Sequence, residues 1–186
     1  MTRPGVVAGI FVGGSGSRMG GVAKGLLVAP GGGSLVDRWR ALLGDLGVRA
    51  VLVGEHPAYS GVALEALADE PRGIGPLGGL VALLRCAGPG RALALACDMP
   101  FVSRGLVEHL LAFAPSAPVV APRKDGLWEP LCAAYDAAAV LPIAIERAAQ
   151  GARSLQGLLE QARAVELPLD DARFAELRDW DHPDDR

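Results

Sequence analysis

Two periods of apolar residues run through the chain and predict its elements. Val6 to Val12 is a short apolar run with β-branched residues that breaks at once into Gly13, Gly14, Ser15 and Gly16. This is the pattern of a buried parallel strand opening into a loop, and the loop continues to about Lys24. From Ser34 the sequence SLVDRWRALLGDLG changes to helical spacing. Leu35, Trp39, Leu42, Leu43 and Leu46 share a face, Ser34 and Asp37 stand in capping-box-like spacing, and Gly47 is a stop. Arg49 to Gly54 predicts a second buried strand, and Val62 to Ala68 a third that ends in Asp69. After the turn-rich PRGIGPLGG, Leu77 to Cys86 has a helical pattern. Arg91 to Cys97 predicts a fourth strand with Asp98 directly behind it, and Ser103 opens a helix reaching about Phe113. Val119 to Pro122 begins a fifth strand. Trp128 to Tyr135 predicts a strand after a turn at Asp125-Gly126, followed by helices over Ala137 to Gln150 and Leu155 to Arg163.

Strands and helices alternating in this way predict an α/β fold, three-layered, with right-handed crossovers and one mainly parallel sheet covered by helices on both faces. A chain of 186 residues can bury about two-thirds of its unfolded surface, so residues 1–186 are expected to form one domain. Ligands of such sheets bind beyond the carboxyl ends of the strands. The loop at Gly13, Asp69 and Asp98 all fall there and are expected to converge.

Composition narrows the chemistry. The hydrophobic fraction of 51% is carried by Ala, Val and Leu, which fits a core of small aliphatic side chains. A formal net charge of -3 with no Lys/Arg run excludes bulk attraction to nucleic acid, so an anion must be bound locally. The N-terminal apolar stretch is too brief for a membrane span. Cys86, Cys97 and Cys132 share no metal-ligand spacing and are read as free thiols of a reducing compartment, the cytoplasm. Of 18 basic residues only Lys24 and Lys124 are lysines, and in an Arg-biased chain such a residue marks a place for a compact ammonium.

Glycines at 13, 14, 16, 20 and 21 around Ser15, Ser17 and Arg18 let backbone N–H groups turn inward as an anion cradle, with Arg18 and Lys24 adding cationic donors. A triphosphate is the expected guest. The dinucleotide fingerprint fails because Met19 stands where its third glycine belongs. The P-loop fails because Lys24 lacks the preceding Gly and following Ser/Thr. Asp98 offers a hard carboxylate on a rigid mounting, as Mg²⁺ prefers. Trp39 falls on an apolar helix face and is assigned to the core, and His56 and His109 are read as surface or structural.

The stretch FVGGSGSRMGGVAKGLL resembles the signature loop of the molybdenum cofactor guanylyltransferase family. The likeness continues at Asp69 with GPLGG (Gly75 to Gly79), at CDMP around Asp98, at WEPLCAAY from Trp128 and at WDHP near the end. The resemblance implies a Rossmann-like nucleotidyltransferase fold and Mg²⁺-dependent transfer of GMP from GTP to the terminal phosphate of molybdopterin. It also implies other cofactor-biosynthesis or molybdoenzyme proteins as partners, and no nucleic acid or membrane. It makes Asp98 the metal-binding carboxylate. It lines the nucleotide with Phe11, Val12 and Gly13 at the strand end, with Gly14 and Ser15, and with Asp69. Lys24 is then expected to neutralise the α/β-phosphates and Arg18 the β/γ end, so that Arg18, Lys24 and Asp98 carry the catalysis.

Three positions depart from the family pattern. Ala23 replaces the acidic residue before the loop lysine, Gly54 stands where the family often has Asn, and Asp181-His182-Pro183 replaces Asn-Thr-Pro, which offers Asp181 as a second metal oxygen. Transfer of another base or to another acceptor, as in the cytidylyltransferases for molybdopterin or the sugar-phosphate nucleotidyltransferases, stays open. So does a non-catalytic nucleotide carrier. Gly13-Gly14 and Lys24-Gly25-Leu26 favour GTP over CTP.

Overall fold

The structure, a computed structural model, describes residues 5–12 and 23–180. Its sheet is built outward from β1 (Val6–Phe11), which pairs in parallel with β2 (Arg49–Val53) on one side and β4 (Arg91–Ala96) on the other. Beyond β2 lies β3 (Ala66–Leu67), also parallel. Beyond β4 come β8 (Cys132–Asp136), β5 (Val119–Ala121) and β9 (Val165–Glu166), giving the order β3-β2-β1-β4-β8-β5-β9. Only β8 runs against its neighbours. The chain leaves β1 toward β2 and later returns to its other side as β4, so β1 and β4 flank the point where the winding changes direction.

Alternating side chains on each strand feed two cores. Ala8, Ile10 and Val12 of the first strand and its extension face α1 (Leu35–Asp45) and α3 (Arg104–Ala112), through Trp39, Leu43, Leu106 and Leu110. Val7 and Phe11 face α2 (Pro76–Ala87), α4 (Ala137–Ala149) and α5 (Leu155–Gln161). These are the three layers that the alternation predicts. The helix starts behave as read: the Ser34 hydroxyl accepts from the Asp37 N–H at 3.0 Å and donates to its carboxylate. Trp39 is 1% exposed. Its indole N–H donates to the Ala96 carbonyl at 3.1 Å, tying α1 to the end of β4.

Two strand boundaries differ from the sequence reading. The third apolar segment is strand only over Ala66–Leu67, because only these residues pair with β2. Trp128 to Tyr135 is two strands. Leu127–Trp128 (β7) pairs with Arg123–Lys124 (β6) in a separate ribbon across a turn where Asp125 and Gly126 both take positive φ. The sheet strand β8 begins at Cys132, after Pro130 has interrupted the run. Five short elements lie outside the sequence reading: the β6 strand Arg123–Lys124, β9, α6 (Asp171–Ala175) and 3-10 turns at Lys24–Leu26 and Pro57–Tyr59. Each is too short to carry a period.

Gly9 lies at the centre of the sheet and faces α2. A Cβ there would fall 2.6 Å from Val53 Cγ2 and 2.7 Å from Leu83 Cδ2. Gly9→Ala is expected to destabilise the fold by about 1–3 kcal/mol, as overpacking does. A urea midpoint equal to the parent's would contradict this packing.

Candidate active site

The ends of β1, β2 and β4 are locked side by side by backbone hydrogen bonds that prolong the ladder. Cys97 N donates to Phe11 O at 3.2 Å and Val12 N to Val53 O at 3.0 Å. Asp98 is the first residue past that edge. Its carbonyl accepts from Trp180 N at 2.9 Å, and its carboxylate Oδ2 receives Lys24 Nζ at 2.8 Å. The side chains of the pair are 19% and 16% exposed. Two residues distant in the sequence, both singled out from it, therefore meet at the switch point of the sheet. At this distance and burial, in a lower effective dielectric than water, the attraction is strong and little screened.

Lys24 is held from its backbone side. It opens the 3-10 turn, where Leu27 N donates to Lys24 O at 3.0 Å and Gly25 N donates to the Tyr59 hydroxyl at 3.0 Å. Gly25 has no room for a side chain: a Cβ would sit 2.7 Å from Val36 Cγ2 and 2.9 Å from Tyr59 Oη. Burial, followed by the nearby Cys97 and Asp98, pushes the Tyr59 phenol up to about 12. It stays protonated and neutral beside the ion pair.

Asp69 follows β3 and rests against the first turn of α2. The glycines of GPLGG make that approach possible. A Cβ on Gly78 would lie 2.4 Å from Pro71 O, and one on Gly79 would lie 3.1 Å from both Asp69 Oδ1 and Phe11 Cε1. Phe11 and Val12 are buried in opposite cores, so the Phe11 ring packs on Gly79 and only backbone is left to face a ligand at the strand end. Gly54 has φ of 100°, a backbone conformation that glycine enters without strain.

Gly13, Gly14, Ser15 and Arg18 lie outside the described residues, as do Asp181 and His182. Cys97 and Cys132 are buried free thiols, each pushed up to about 12 chiefly by burial, and are inert packing residues. His56 caps a turn by accepting from Ala58 N at 3.2 Å. His109 stands edge-on to Phe113.

A cleft of about 1060 Å³, not outlined by any sequence pattern, is lined by Met99, the residue after Asp98, and bounded by the β6–β7 ribbon and the segment from Asp171 to Asp179. Its residues come from stretches without periodic pattern. The two basic residues of the ribbon play different parts. Arg123 stacks 4.7 Å over Trp128 and donates to Gly126 O and to Glu160, which makes it a latch of the ribbon to α5. Lys124 is exposed at the cleft. Glu129 is half-buried, and its carboxylate accepts no hydrogen bond from a described residue. Burial, then the charge of Asp179, raises its pKa, with Lys124 pulling the other way. WEPL was noted as a motif, but which of its residues faces a cavity depends on the ribbon.

The carboxyl of Asp69 is raised above its ordinary value by burial first and by Glu55 second, with Arg72 partly offsetting them. Ionising it in the folded protein is therefore unfavourable. The stability it contributes is fully present below the ordinary aspartate pKa of about 3.9 and is lost as pH rises through the higher folded value. Asp69→Asn is expected to raise the Tm at neutral pH, with the gain vanishing by about pH 3. An unchanged Tm at neutral pH would show that the carboxylate is not under this strain.

Comparison with known proteins gives the family and the fold. Residues 8–165 match the family described as the MobA-like NTP transferase domain. The molybdenum cofactor guanylyltransferase of Ectopseudomonas mendocina is 37% identical over 175 residues, covering 90% of this chain and 85% of that protein. The one from Pseudomonas putida is 35% identical over 187 residues, covering 95% and 94%. Among solved structures, the molybdopterin-guanine dinucleotide biosynthesis protein A of Archaeoglobus fulgidus superposes with a TM-score of 0.78 at 27% identity, covering 97% of this chain and 94% of that one. The 2-C-methyl-D-erythritol 4-phosphate cytidylyltransferase of Thermus thermophilus, 20% identical with a TM-score of 0.65 over 100% and 95% of the two chains, shares the fold. The chain belongs to the MobA-like NTP transferase family and is a nucleotidyltransferase of the Rossmann-like α/β fold.

Proposed function

We propose that this enzyme transfers GMP from GTP to the terminal phosphate of molybdopterin, releasing pyrophosphate and forming the guanine dinucleotide cofactor in the cytoplasm. The observation that carries the reading is the meeting of Lys24 with Asp98 at 2.8 Å on the carboxyl edge of β1 and β4, together with relatives named as molybdenum cofactor guanylyltransferases. No helix among the described residues is long and apolar enough to cross a membrane.

The acceptor phosphate is ionised near neutral pH, so its oxygen can attack the α-phosphorus without a general base. The new P–O bond forms as the bond to the β-phosphate oxygen breaks, and that electron pair leaves with pyrophosphate. The protein's work is to position the two substrates and offset their charge. Lys24 supplies a compact cation to the triphosphate. Arg18 supplies a fork to its distal end. The backbone at Phe11, Val12, Gly13, Gly14 and Ser15, with Asp69, holds the nucleotide.

Asp98 would hold a divalent cation. Among the described residues no group of three His, Cys, Asp or Glu could cage one. A single hard carboxylate suits Mg²⁺, which takes its other ligands from phosphate and water. Bound there, the cation would supply charge neutralisation on the phosphoryl oxygens. Asp98→Asn is expected to lower kcat by at least about a hundredfold while circular dichroism shows the fold retained, with some loss of stability from the unpaired Lys24 ammonium. Full turnover in that variant would remove Asp98 from the reaction.

The cleft past Met99 is assigned to the acceptor, with Lys124 facing its anionic end and Glu129 its N–H-bearing ring edge. Lys124→Ala and Glu129→Gln are each expected to raise the KM for acceptor several-fold without moving the KM for GTP. Equal effects on both would place these residues elsewhere. Melting temperatures with each of the four NTPs, with and without Mg²⁺, test the base: a Mg²⁺-linked rise with GTP supports the guanylyl reading, and a rise with CTP alone replaces it with cytidylyl transfer.

A further inference from the structure

The carboxylate that would receive a divalent cation already holds the Lys24 ammonium, through Oδ2 at 2.8 Å. Both partners have fixed backbones. On the Asp98 side, Cys97 N is bonded to Phe11 O and Asp98 O to Trp180 N. On the Lys24 side, Leu27 N is bonded to Lys24 O, and Gly25 N to the Tyr59 hydroxyl. What is left to move is the four-carbon stem of the lysine, whose torsions are soft.

We propose that Lys24 is an interlock between nucleotide and metal: it closes Asp98 as its counter-ion when no nucleotide is bound, and it opens the carboxylate to a divalent cation only when a triphosphate draws the ammonium away. The inference rests on reading Asp98 as the metal carboxylate.

The argument is electrostatic. A doubly charged cation on Asp98 and an ammonium hydrogen-bonded to the same carboxylate would lie only a few ångströms apart and repel. Removing the ammonium without replacement would leave a mostly buried carboxylate unpaired, which is unfavourable. In the protein alone, the pair is therefore the better state and free metal is held weakly. A triphosphate reverses both terms, since it offers the ammonium several anionic oxygens and adds ligands for the cation. Metal and nucleotide then strengthen each other's binding by the same factor, and the enzyme does not fill its metal position ahead of substrate.

The interlock predicts an effect opposite to that of losing a binding residue. Deleting the Lys24 charge should weaken GTP binding and strengthen the binding of metal alone. The test is titration of the nucleotide-free full-length protein with Mn²⁺, followed by the loss of the free-ion electron paramagnetic resonance signal. The variants are Lys24→Met, which keeps the length of the stem, Lys24→Arg, which keeps the charge, and Asp98→Asn. Lys24→Met should bind Mn²⁺ roughly tenfold or more tightly than the parent, Lys24→Arg should stay weak, and adding Asp98→Asn to Lys24→Met should abolish the gain. If Mn²⁺ binding depends on Asp98 yet is equal in the parent and Lys24→Met, the interlock is wrong and the metal assignment stands. Binding that survives Asp98→Asn overturns both.

Discussion

The site depends on how closely α2 can lie against the ends of the first two strands. Gly9 leaves room for Leu83 of α2 beside Val53, Gly79 leaves room for Val53 and Phe11 against the helix, and Gly78 removes the side chain that would meet the Asp69 turn. With that approach made, β1, β2 and β4 end in a common edge, and the residues that leave it, Val12, Gly54 and Cys97-Asp98, leave together. Asp98 needs no loop of its own to be placed; the Phe11–Cys97 bond, the indole of Trp39 on Ala96 and the backbone of Trp180 fix it within the sheet's frame. Catalytic groups mounted this way keep their geometry as well as the core keeps its packing.

Against this rigid edge, the charged groups are arranged as alternatives. Lys24 and Asp98 are paired in the protein alone, and in the proposed interlock a nucleotide with its metal would replace both halves of that contact at once. Asp69, by contrast, is left with a burial penalty that Arg72 offsets only in part, so its position is less stable than the fold alone would choose. A strained carboxylate beside the strand ends fits a residue kept for a ligand. In the neighbouring cleft, Glu129 has the same character, half-buried and raised, with Asp179 adding to it.

How much of this could be read from the chain differs with the kind of signal. Strands β1, β2 and β4, helices α1 to α5 and the cap at Ser34 were legible because each carries several periodic apolar positions or a paired capping residue. The convergence of Lys24 and Asp98 was also legible, since a parallel sheet delivers every strand's carboxyl end to one edge. The split of Trp128 to Tyr135 was not, because a ribbon and a strand separated by one proline give the same apolar density. The cleft lined by Met99 was hidden for a further reason: it is enclosed by segments whose positions follow from tertiary packing. Likewise, adjacent Arg123 and Lys124 look equivalent in sequence, and only the stacking of Arg123 on Trp128 separates the latch from the exposed cation.

Ala23 brings these strands of argument together. The family pattern places an acid immediately before the loop lysine, and its loss reads, from sequence, as a missing contact. In the fold, Ala23 is partly buried against the core beside α1 and begins the turn that presents Lys24. An acidic side chain packed there would carry a burial penalty of its own, which alanine avoids. The carboxylate that the structure does place on the Lys24 ammonium is Asp98, mounted on the sheet edge and not on the turn. The substitution that looks like an erosion of the site therefore leaves the described Lys24–Asp98 contact intact.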